Sequence, residues 1–536
     1  MLADLLFPNI TQTPETILNK YKKRPEGKNV TRIAPSPTWF LHIWAVYSTL
    51  IDKVIANFNN WILYLRIEDT DQKREIEWAR QKYVTILKQF GFEFDEWPIW
   101  ENFEDVWEYW PYIQSQREDI YKIFIKDLVA KGLAYPCFLT EQEINDIREI
   151  QEVSKVPTWI YKEFSPWRNA SFEEVKAQID AWKEFVIRFK SPWEIVWKIV
   201  VNDLIKGEIS IWENFLDIVI MKVDWIPTYH FAHLIDDHLM WTTHVIRWDE
   251  WFASLPLHKQ LFNMMLWESP NYAHYWPLVK MDWDAKRKIS KRKDPEADVE
   301  YYFQEWYLID SIIDFLANLL NSWFEDWRSQ NPHSSYLEYD FKLNKIWSSW
   351  ALVDIPKLNW VNQQRIKNMQ IEDLQEKIEE YLKKYNNEFD TNYFSKANRE
   401  YDQKIIKELQ TRIVKFNEFE ELTWFFYKEN EVTQKAKELL VNPKMKIDDL
   451  NIAKSWLNLA LKVLSDLKTE EFSLDEIKNL FVEAIKEAWM KNWQVLWPVR
   501  VALTSEEFSV WALELMYILW REKSINRIQK FLNDLI

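Results

Sequence analysis

The hydrophobic pattern near the start of the chain predicts a parallel α/β sheet. Apolar residues from Val30 to Ala34 predict a short buried strand, and the turn Pro35-Ser36-Pro37-Thr38 follows it. A helix is expected from about Leu41 to Asn57, and the segment from Trp61 to Ile67 predicts a second strand. Strand, turn, helix and strand in this order form the unit of a parallel sheet, whose ligands lie beyond the carboxyl ends of the strands.

Later segments change this pattern twice. Residues 106–224 mix helical stretches with strand-like runs such as Phe185 to Phe189, and the sheet pattern resumes near Pro227. Beyond about residue 295 the chain becomes mostly helical, and from 366 onward Glu, Lys, Leu and Ile recur at helical spacing. The predicted organisation, in chain order, is an extension (1–29), the first half of a sheet domain (30–105), an inserted domain (106–224), the second half of the sheet domain (225–280), a connecting domain (281–365) and an all-helical C-terminal domain (366–536).

The composition narrows the class of protein. The 536 residues are 47% hydrophobic and 28% charged, which is typical of a soluble globular enzyme of about three or four domains. No apolar run approaches the roughly eighteen residues that span a membrane, and the first residues lack the pattern of a secretory signal. Cys137 is the only cysteine, so a disulfide within the chain is excluded and a cysteine-based zinc site is not expected. A cytoplasmic location follows as an expectation.

The net charge of −16 does not by itself suggest a protein that binds nucleic acid. In a large enzyme, however, a local basic face meets the phosphates, while the acidic remainder keeps the protein soluble. The charge therefore leaves an RNA partner open.

Tryptophan and glycine occur in abnormal numbers, with 34 Trp and only 4 Gly. Trp also follows Asn or Asp where a turn would normally carry Gly, and a bulky residue at positive φ is a steric outlier. We hypothesise that many of these Trp residues are glycines, encoded by UGA codons that were translated as Trp; the alternative is an unusually Trp-rich protein. The four turn positions are Asn60-Trp61, Asp224-Trp225, Asp282-Trp283 and Asn492-Trp493.

The segment from Ala34 to Ala45 reads APSPTWFLHIWA and places His42 at the start of a helix directly after a strand. Exposed backbone N–H groups and the helix dipole attract phosphate at such a place. His42 can donate a hydrogen bond to a triphosphate oxygen, and Ala34, Pro35 and Ser36 would lie beside the nucleotide. Position 44 should be bare backbone, because Trp44 would fill the space in which the nucleotide lies against the helix.

A second motif, KRKISKRK from Lys286 to Lys293, forms a dense cationic segment. Such a segment can neutralise the charge that develops on departing pyrophosphate. A solvated basic loop is the alternative for this segment alone, and its occurrence together with the His42 motif favours the nucleotide site. The candidates for ATP binding here are Lys288, Ile289, Ser290, Lys291 and Arg292, and His42, Lys288 and Lys291 are the candidate catalytic residues.

The two motifs resemble the "HIGH" and "KMSKS" signatures of class I aminoacyl-tRNA synthetases, with Trp44 in the glycine place and Ala45 in that of the final His. Further segments resemble the bacterial glutamyl branch of that family, which implies a Rossmann-like parallel sheet. They are Thr31 to Ser36, the RIEDTD stretch from Arg66 to Asp71, Pro227 to Ala232, Thr243 to Trp251, Tyr112 to Arg117, Leu133 to Phe138 and Lys491 to Thr504.

The resemblance implies roles for individual residues. Arg32 would pair with a substrate carboxylate beside Ser36, Glu68 would receive the α-amino group, and Tyr229 and Arg247 would contact the amino acid. The chemistry agrees, because a substrate with two carboxylates and one amine calls for guanidinium groups and an acid. Each residue could instead belong to a structural ion pair.

Against the family pattern, many Trp residues fall on glycine places, whereas others fall where the family itself has Trp. The first group includes Trp39, Trp44, Trp61, Trp110, Trp225, Trp248 and Trp493, and the second Trp251, Trp327, Trp360 and Trp497. Recoding of glycine codons predicts this division, whereas random enrichment in Trp would not respect it.

The implied reaction is ATP-dependent ligation of L-glutamate to tRNA(Glu) through a glutamyl-adenylate, with Mg²⁺ accompanying ATP, no protein metal ligands and no zinc. The implied insertion holds the tRNA acceptor end, the helical domain binds the anticodon, and the enzyme is expected to be a monomer. Charging of tRNA(Gln) as well is an alternative. Another is a catalytically inactive tRNA-binding relative, if Trp44 and Trp248 are real. A glutaminyl enzyme is disfavoured because its C-terminal part is rich in strands, and a tRNA-modifying paralogue would lack the anticodon region.

Overall fold

A computed structural model of the chain describes residues 1–37, 41–70, 77–98, 108–192, 197–346, 350–394, 398–467 and 472–535. The predicted Thr38, Trp39 and Asp71 lie outside these ranges. The described part forms two compact units, the first comprising 1–301 and 313–354 and the second 302–312 and 355–536.

The first unit holds the strands of the chain. Two helices precede them, α1 (Leu2–Leu6) and α2 (Pro14–Lys20). The strands are β1 (Val30–Ile33), β2 (Ile62–Leu65), β3 (Ala134–Cys137), β4 (Val186–Phe189), β5 (Lys198–Asp203), β6 (Gly207–Trp212), β7 (Val219–Met221), β8 (His244–Trp248), β9 (Asn271–Tyr275), β10 (Leu278–Asp282), β11 (Ala285–Lys288) and β12 (Ala351–Leu352).

Helices lie between these strands along the chain, and several of them pack against the sheets. Their bounds are α3 (Ile43–Asn59), α4 (Glu77–Gln89), α5 (Glu118–Ala130), α6 (Glu141–Val153), α7 (Phe172–Asp180), α8 (Tyr229–Leu239), α9 (Leu255–Met264), α10 (Val299–Gln304), α11 (Ile309–Leu320) and α12 (Trp323–Gln330). Of the three boundaries between the two units, two fall within α10 and α11 and the third follows residue 354.

The second unit consists of helices in its described residues, as the spacing of Leu and Ile predicts. The helices are α13 (Ile355–Lys367), α14 (Ile371–Tyr385), α15 (Asn387–Asn392), α16 (Arg399–Leu409), α17 (Phe419–Tyr427), α18 (Gln434–Leu440), α19 (Leu450–Asp466), α20 (Leu474–Glu487), α21 (Asn492–Thr504), α22 (Ala512–Leu519) and α23 (Arg521–Asn533). No helix in the described ranges has the length and apolarity that a membrane crossing requires.

The predicted strand–helix–strand unit is confirmed. β1 and β2 pair in parallel, with α3 connecting them, and β8 pairs in parallel with β9. The two pairs adjoin where they begin, because the backbone N–H of Thr243 donates to the carbonyl oxygen of Val30. The carboxyl ends of β1, β2 and β8 therefore open on one edge, which is where a parallel sheet binds its ligands.

The insertion is joined to the sheet more closely than the sequence pattern indicates. β3, β4 and β7 form a separate antiparallel sheet. The hairpin of β5 and β6, however, continues the sheet of β8 and β9 through a parallel pairing of Asp203 with Tyr272. The sheet therefore resumes before Pro227, and the segment after Pro227 is helix α8; the expected limits of the inserted domain remain a prediction.

Left-handed backbone in the described residues coincides with tryptophan more often than with any other side chain. Seven Trp residues have positive φ, namely Trp182, Trp225, Trp241, Trp283, Trp306, Trp489 and Trp520. Of the four predicted turns, those at Trp225 and Trp283 place Trp at positive φ, and the turn at Asn60-Trp61 is also present, with Asn60 rather than Trp61 left-handed at φ 54°. The prediction at Asn492-Trp493 is wrong, because helix α21 begins there.

Four of these tryptophans end helices in the same way as two of the glycines. In each case the left-handed residue follows the last turn, and its N–H and that of the next residue donate to carbonyls of that turn. Glycine is the usual residue at this place, because it has no Cβ to clash. The set comprises Gly91, Gly132, Trp182, Trp241, Trp306 and Trp489.

Candidate active site

The edge of the sheet brings most of the predicted site residues to one cavity of about 510 Å³. Ala34, Pro35 and Ser36 follow β1, Glu68 follows β2, and Arg247 lies near the end of β8. The sequence-predicted residues that line the cavity are Arg32, Ala34, Pro35, Ser36, His42, Trp44, Ala45, Glu68, Tyr229, Arg247 and Lys291.

His42 caps helix α3 at its N-terminus. Its Nδ1 accepts a hydrogen bond of 3.2 Å from the backbone N–H of Trp44. Burial, together with the nearby charges of Lys291 and Lys288, lowers the pKa of His42 to about 3. The imidazole is therefore neutral at pH 7 and carries its proton on Nε2, as a donor at a helix N-terminus that already favours anions.

The cationic segment is less loop-like than the sequence pattern indicates. Lys286 to Lys288 belong to strand β11, which pairs with β10, and Ile289 is buried. The Ser290 N–H donates to Asp294, and both Arg287 terminal nitrogens also bond that carboxylate, which holds its pKa below the usual range. These bonds fix the turn that carries Lys291 to the cavity.

Lys288 lies between two indoles at one end of the cavity. Its Nζ is 4.2 Å from the ring centroid of Trp44 and 4.0 Å from that of Trp248, and it forms an ion pair with Glu250. The two indoles are 4.0 Å apart, and Trp44 is also 4.6 Å from the His42 ring. Burial lowers the pKa of Lys288 to about 8. The side chains thus occupy the space beside the helix start in which the nucleotide is expected.

Not every residue of the predicted ATP set lines the cavity. Lys288 is not a lining residue but contacts Trp44 and Trp248, which are, whereas Ile289 packs inward and Ser290 bonds to Asp294. Arg292 is exposed. A role of Ile289, Ser290 or Arg292 in binding ATP remains a prediction.

Arg32 and Glu68 lie at the other end in a buried ionic network. The Nε of Arg32 is 3.3 Å from Oδ1 of Asp237, and Arg66 binds both that carboxylate at 2.9 Å and Glu68 at 2.8 Å. Nη2 of Arg32 makes a second contact with Oδ2 of Asp237 at 3.5 Å. The charges of Arg32 and Arg66 hold the pKa of Asp237 well below its usual value despite burial. Arg32 and Glu68 are thus in ion pairs and also line the cavity.

Arg247 and Tyr229 complete this end. Arg247 Nε donates to Nε2 of His274 at 2.9 Å, and its terminal nitrogens reach His258 and the carbonyl of Trp251. The Tyr229 ring lies 4.3 Å from that of Trp251, and burial raises the pKa of the Tyr229 hydroxyl to about 12, so it stays a neutral donor and acceptor.

The sequence did not indicate the residues that hold these side chains. Asp237, His258 and His274 are buried polar groups inside segments that read as apolar elements. A buried polar residue on an otherwise apolar face is a signal of such a network. Their partners, however, become visible only when α8, α9 and β9 are placed together.

Metal-binding groups are sparse in the described residues. No cluster of three or more His, Cys, Asp or Glu there could hold an ion, and Cys137 is a buried free thiol. The expected absence of zinc stays a prediction.

Comparison with known families gives two matches that divide the chain. Residues 28–360 match the model described as tRNA synthetases class I (E and Q), catalytic domain, and residues 370–532 match an anticodon binding domain. Together with the parallel sheet and its cavity, these matches show that the chain belongs to the class I tRNA synthetases of the E and Q type.

Curated relatives are glutamate–tRNA ligases. That of Clostridium perfringens (strain 13) is 48% identical over 72% of this chain and 71% of the relative. That of Clostridium beijerinckii is 38% identical over 99% of both. Among solved structures, a glutamate tRNA ligase from Elizabethkingia meningosepticum, in complex with its amino acid, aligns with a TM-score of 0.80 at 28% identity, covering 95% of this chain and all of the other.

Proposed function

We propose that the chain is an ATP-dependent ligase that joins L-glutamate to tRNA(Glu) through a glutamyl-adenylate. One observation carries the proposal: a single cavity is lined both by the candidates for an acidic amino acid, Arg32 and Arg247, and by the candidates for phosphate, His42 and Lys291. The names of the curated relatives and of the aligned structure support the same substrate.

At the nucleotide end, neutral His42 donates from Nε2 to a phosphate oxygen. Lys291, with Lys288 assisting, opposes the charge that grows on pyrophosphate as it leaves. Backbone N–H groups at the start of α3 add to this field. Mg²⁺ would accompany ATP, held mainly by phosphate oxygens and water, because the described residues offer no acidic cluster. It would neutralise phosphate charge.

At the amino-acid end, Arg32 and Arg247 hold the two carboxylates, while Glu68 accepts the ammonium group near Ser36. Arg66 keeps Glu68 in place at 2.8 Å, so that the acceptor is ordered before the substrate arrives. Tyr229 closes the site with a neutral hydroxyl. Two guanidiniums and one carboxylate, buried near one another, favour a zwitterionic, acidic ligand over a neutral one.

The reaction follows from this arrangement in two steps. An oxygen of the α-carboxylate bonds to the α-phosphorus of ATP, and the bond from that phosphorus to pyrophosphate breaks. A ribose hydroxyl of the terminal adenosine of tRNA then attacks the activated carbonyl and releases AMP. The protein supplies positioning and charge rather than a nucleophile.

The indoles of Trp44 and Trp248 conflict with this function as they stand. They fill the nucleotide end, and Nε1 of Trp44 is buried with no hydrogen-bond partner among the described residues. We therefore propose that both positions are glycine in the active enzyme, as UGA recoding would give. The competing function, a catalytically inactive tRNA-binding relative, is favoured if both indoles belong to the native protein.

The deciding experiment compares charging of tRNA(Glu) with labelled glutamate by the printed chain and by Trp44→Gly/Trp248→Gly. The glycine form should charge at least about 100-fold faster, because it restores the room in which ATP is positioned. Trp251→Gly is the matched control: it lies in the same cavity but packs against Tyr229, so its loss should lower charging.

Absence of charging by the glycine form would favour the inactive relative. Mass spectrometry of native peptides that cover Trp44 or Trp225 tests the recoding directly, since each glycine in place of tryptophan changes the peptide mass. Assays with tRNA(Gln) decide whether the enzyme also charges that tRNA.

The remaining parts of the proposal concern which domains bind tRNA and the form in which the enzyme acts. The inserted domain 106–224 would hold the acceptor end of tRNA, 281–365 would contact its stem, and 366–536 would read the anticodon. The enzyme would act as a cytoplasmic monomer without zinc. Gel filtration with and without tRNA tests the monomer, and metal analysis of the purified protein tests the absence of zinc.

A further inference from the structure

Arg247 is held by three hydrogen bonds that leave part of its guanidinium available. Nε donates to Nε2 of His274 at 2.9 Å, Nη1 to Nδ1 of His258 at 3.2 Å, and Nη2 to the carbonyl of Trp251 at 3.1 Å. A guanidinium has five N–H groups. Within the described residues, one N–H on each terminal nitrogen thus has no acceptor, and such a pair matches the two oxygens of a carboxylate.

The bonds to Arg247 define the protonation of both histidines. Because a guanidinium cannot accept a hydrogen bond, Nδ1 of His258 and Nε2 of His274 must both carry a lone pair. The proton of His274 is then on Nδ1, which contacts Asp203 at 2.6 Å, and that of His258 is on Nε2, which contacts Nδ1 of His230 at 3.0 Å. Burial, which lowers the pKa of His258 and of His274, acts in the same direction.

The neutral neighbours also leave the charge of Arg247 uncompensated. Arg32 pairs with Asp237, whereas the described residues place no carboxylate in an ion pair with Arg247. Protonation of either histidine would set a second positive charge and an N–H against the guanidinium. Two neutral acceptors orient the guanidinium plane without reducing its attraction for an anion.

We infer that His258 and His274 are positioning residues that fix Arg247 for the carboxylate of an acidic amino acid. The inference rests on the proposed function for the identity of that ligand. Asp203 extends the chain of contacts, because its Oδ1 accepts from the backbone N–H groups of Ile205 and Lys206 while Oδ2 orients His274. The backbone thus fixes Asp203, and Asp203 in turn fixes the ring of His274 whose Nε2 accepts from Arg247.

His258 accepts from Arg247 through Nδ1, whereas His274 accepts through Nε2. This difference allows a crossed test, in which the substitution that keeps the acceptor at one position removes it at the other. An Asn side chain places its amide oxygen near the Nδ1 position, and a Gln side chain places it near Nε2. His258→Asn and His274→Gln therefore keep an acceptor for Arg247, whereas His258→Gln and His274→Asn remove it. The paired substitutions have similar polarity, so a general structural role would not reproduce the crossing.

The four variants are made in the Trp44→Gly/Trp248→Gly form, and the KM for glutamate, the KM for ATP and kcat are measured in the charging assay. We expect His258→Gln and His274→Asn to raise the glutamate KM about tenfold or more, with the ATP KM unchanged. His258→Asn and His274→Gln should remain within about threefold of the parent. Equal effects of Asn and Gln at each position, or effects on kcat alone, would overturn the inference.

Calorimetric titration with L-glutamate repeats the comparison without catalysis. The same crossed order of dissociation constants is expected, with binding weakened about tenfold where the acceptor is removed. If the parent fails to charge tRNA but the four variants bind glutamate in the crossed order, the proposed ligase function fails while the positioning inference stands. If the parent charges tRNA and the crossed order is missing, the positioning inference fails alone.

Discussion

Replacing left-handed, exposed tryptophans by glycine should stabilise the protein. Trp182, Trp283 and Trp489 have φ of 56°, 55° and 58° and are 93% to 95% exposed, so their indoles bury almost nothing. Trp182 and Trp489 follow α7 and α20, and Trp283 lies in the turn between β10 and β11. The perturbation is Trp→Gly at each position, singly and together.

The magnitude follows from two opposing terms. A left-handed residue with a Cβ destabilises the folded state by about 1–2 kcal/mol. Glycine removes this strain, but it lowers the free energy of unfolding by about 0.5–1 kcal/mol because it raises the entropy of the unfolded chain. The net gain is about 1 kcal/mol for each position. Two of the positions lie in the first unit and one in the second, so the free energies of unfolding should rise by about 2 and about 1 kcal/mol respectively.

Urea unfolding followed by circular dichroism measures these gains, with Trp159→Gly and Trp511→Gly as controls. These two indoles are 61% and 68% exposed but are not among the left-handed residues, so glycine should leave stability unchanged or lower it. Leu266→Gly is a positive control, since Leu266 has φ 56° and is 93% exposed. If the three Trp variants lose stability as the first controls do, the strain argument is wrong.

Two further predictions concern buried carboxylates. Burial raises the pKa of Asp52 to about 8, so the folded state favours the protonated carboxyl and loses stability as the pH rises from about 4 to 8. In that window the free energy of unfolding of Asp52→Asn should therefore rise, relative to that of the parent, by up to about 1.4 kcal/mol per pH unit. An offset between the two urea unfolding free energies that does not change with pH would contradict this. Glu68→Gln in the glycine form should raise the glutamate KM about tenfold or more if Glu68 is the proposed acceptor of the ammonium group, because the substitution removes its charge. An unchanged glutamate KM in the charging assay, with ATP saturating, would show that Glu68 serves only Arg66.

Local patterns in the sequence were sufficient to predict the elements of the sheet. The strand at β1, the helix after His42 and the strand at β2 follow from runs of apolar residues bounded by turn residues, and their ends differ from expectation by only a few residues. The bounds of these elements depend on spacing that is short along the chain. The placement of His42 and Arg247 at one cavity was implied only by the family resemblance, because no strand at β8 was predicted.

Features that depend on pairing between distant segments were missed. Lys286 to Lys288 read as a loop because they are uniformly basic, yet they complete a hairpin whose strand β10 also pairs with β12, far along the chain. Asn492-Trp493 reads as a turn by its dipeptide, but α21 begins there and continues through apolar residues that join the core of the second unit. The partners of Arg247 likewise come from α9 and β9.

If the unusual tryptophans are glycines in the native protein, that one identity meets two physically unrelated demands. At the ends of α7, α8, α10 and α20 the backbone requires positive φ, and in two matching helix ends the residue is Gly91 or Gly132. At Trp44 and Trp248 the demand is empty volume beside a helix start, not backbone freedom, because neither is among the left-handed residues. Glycine alone meets both demands. An enrichment in tryptophan for its own properties would bury indoles in the core, yet Trp182, Trp283 and Trp489 are almost fully exposed. Glycine recoding therefore needs one cause where a Trp-rich protein needs two.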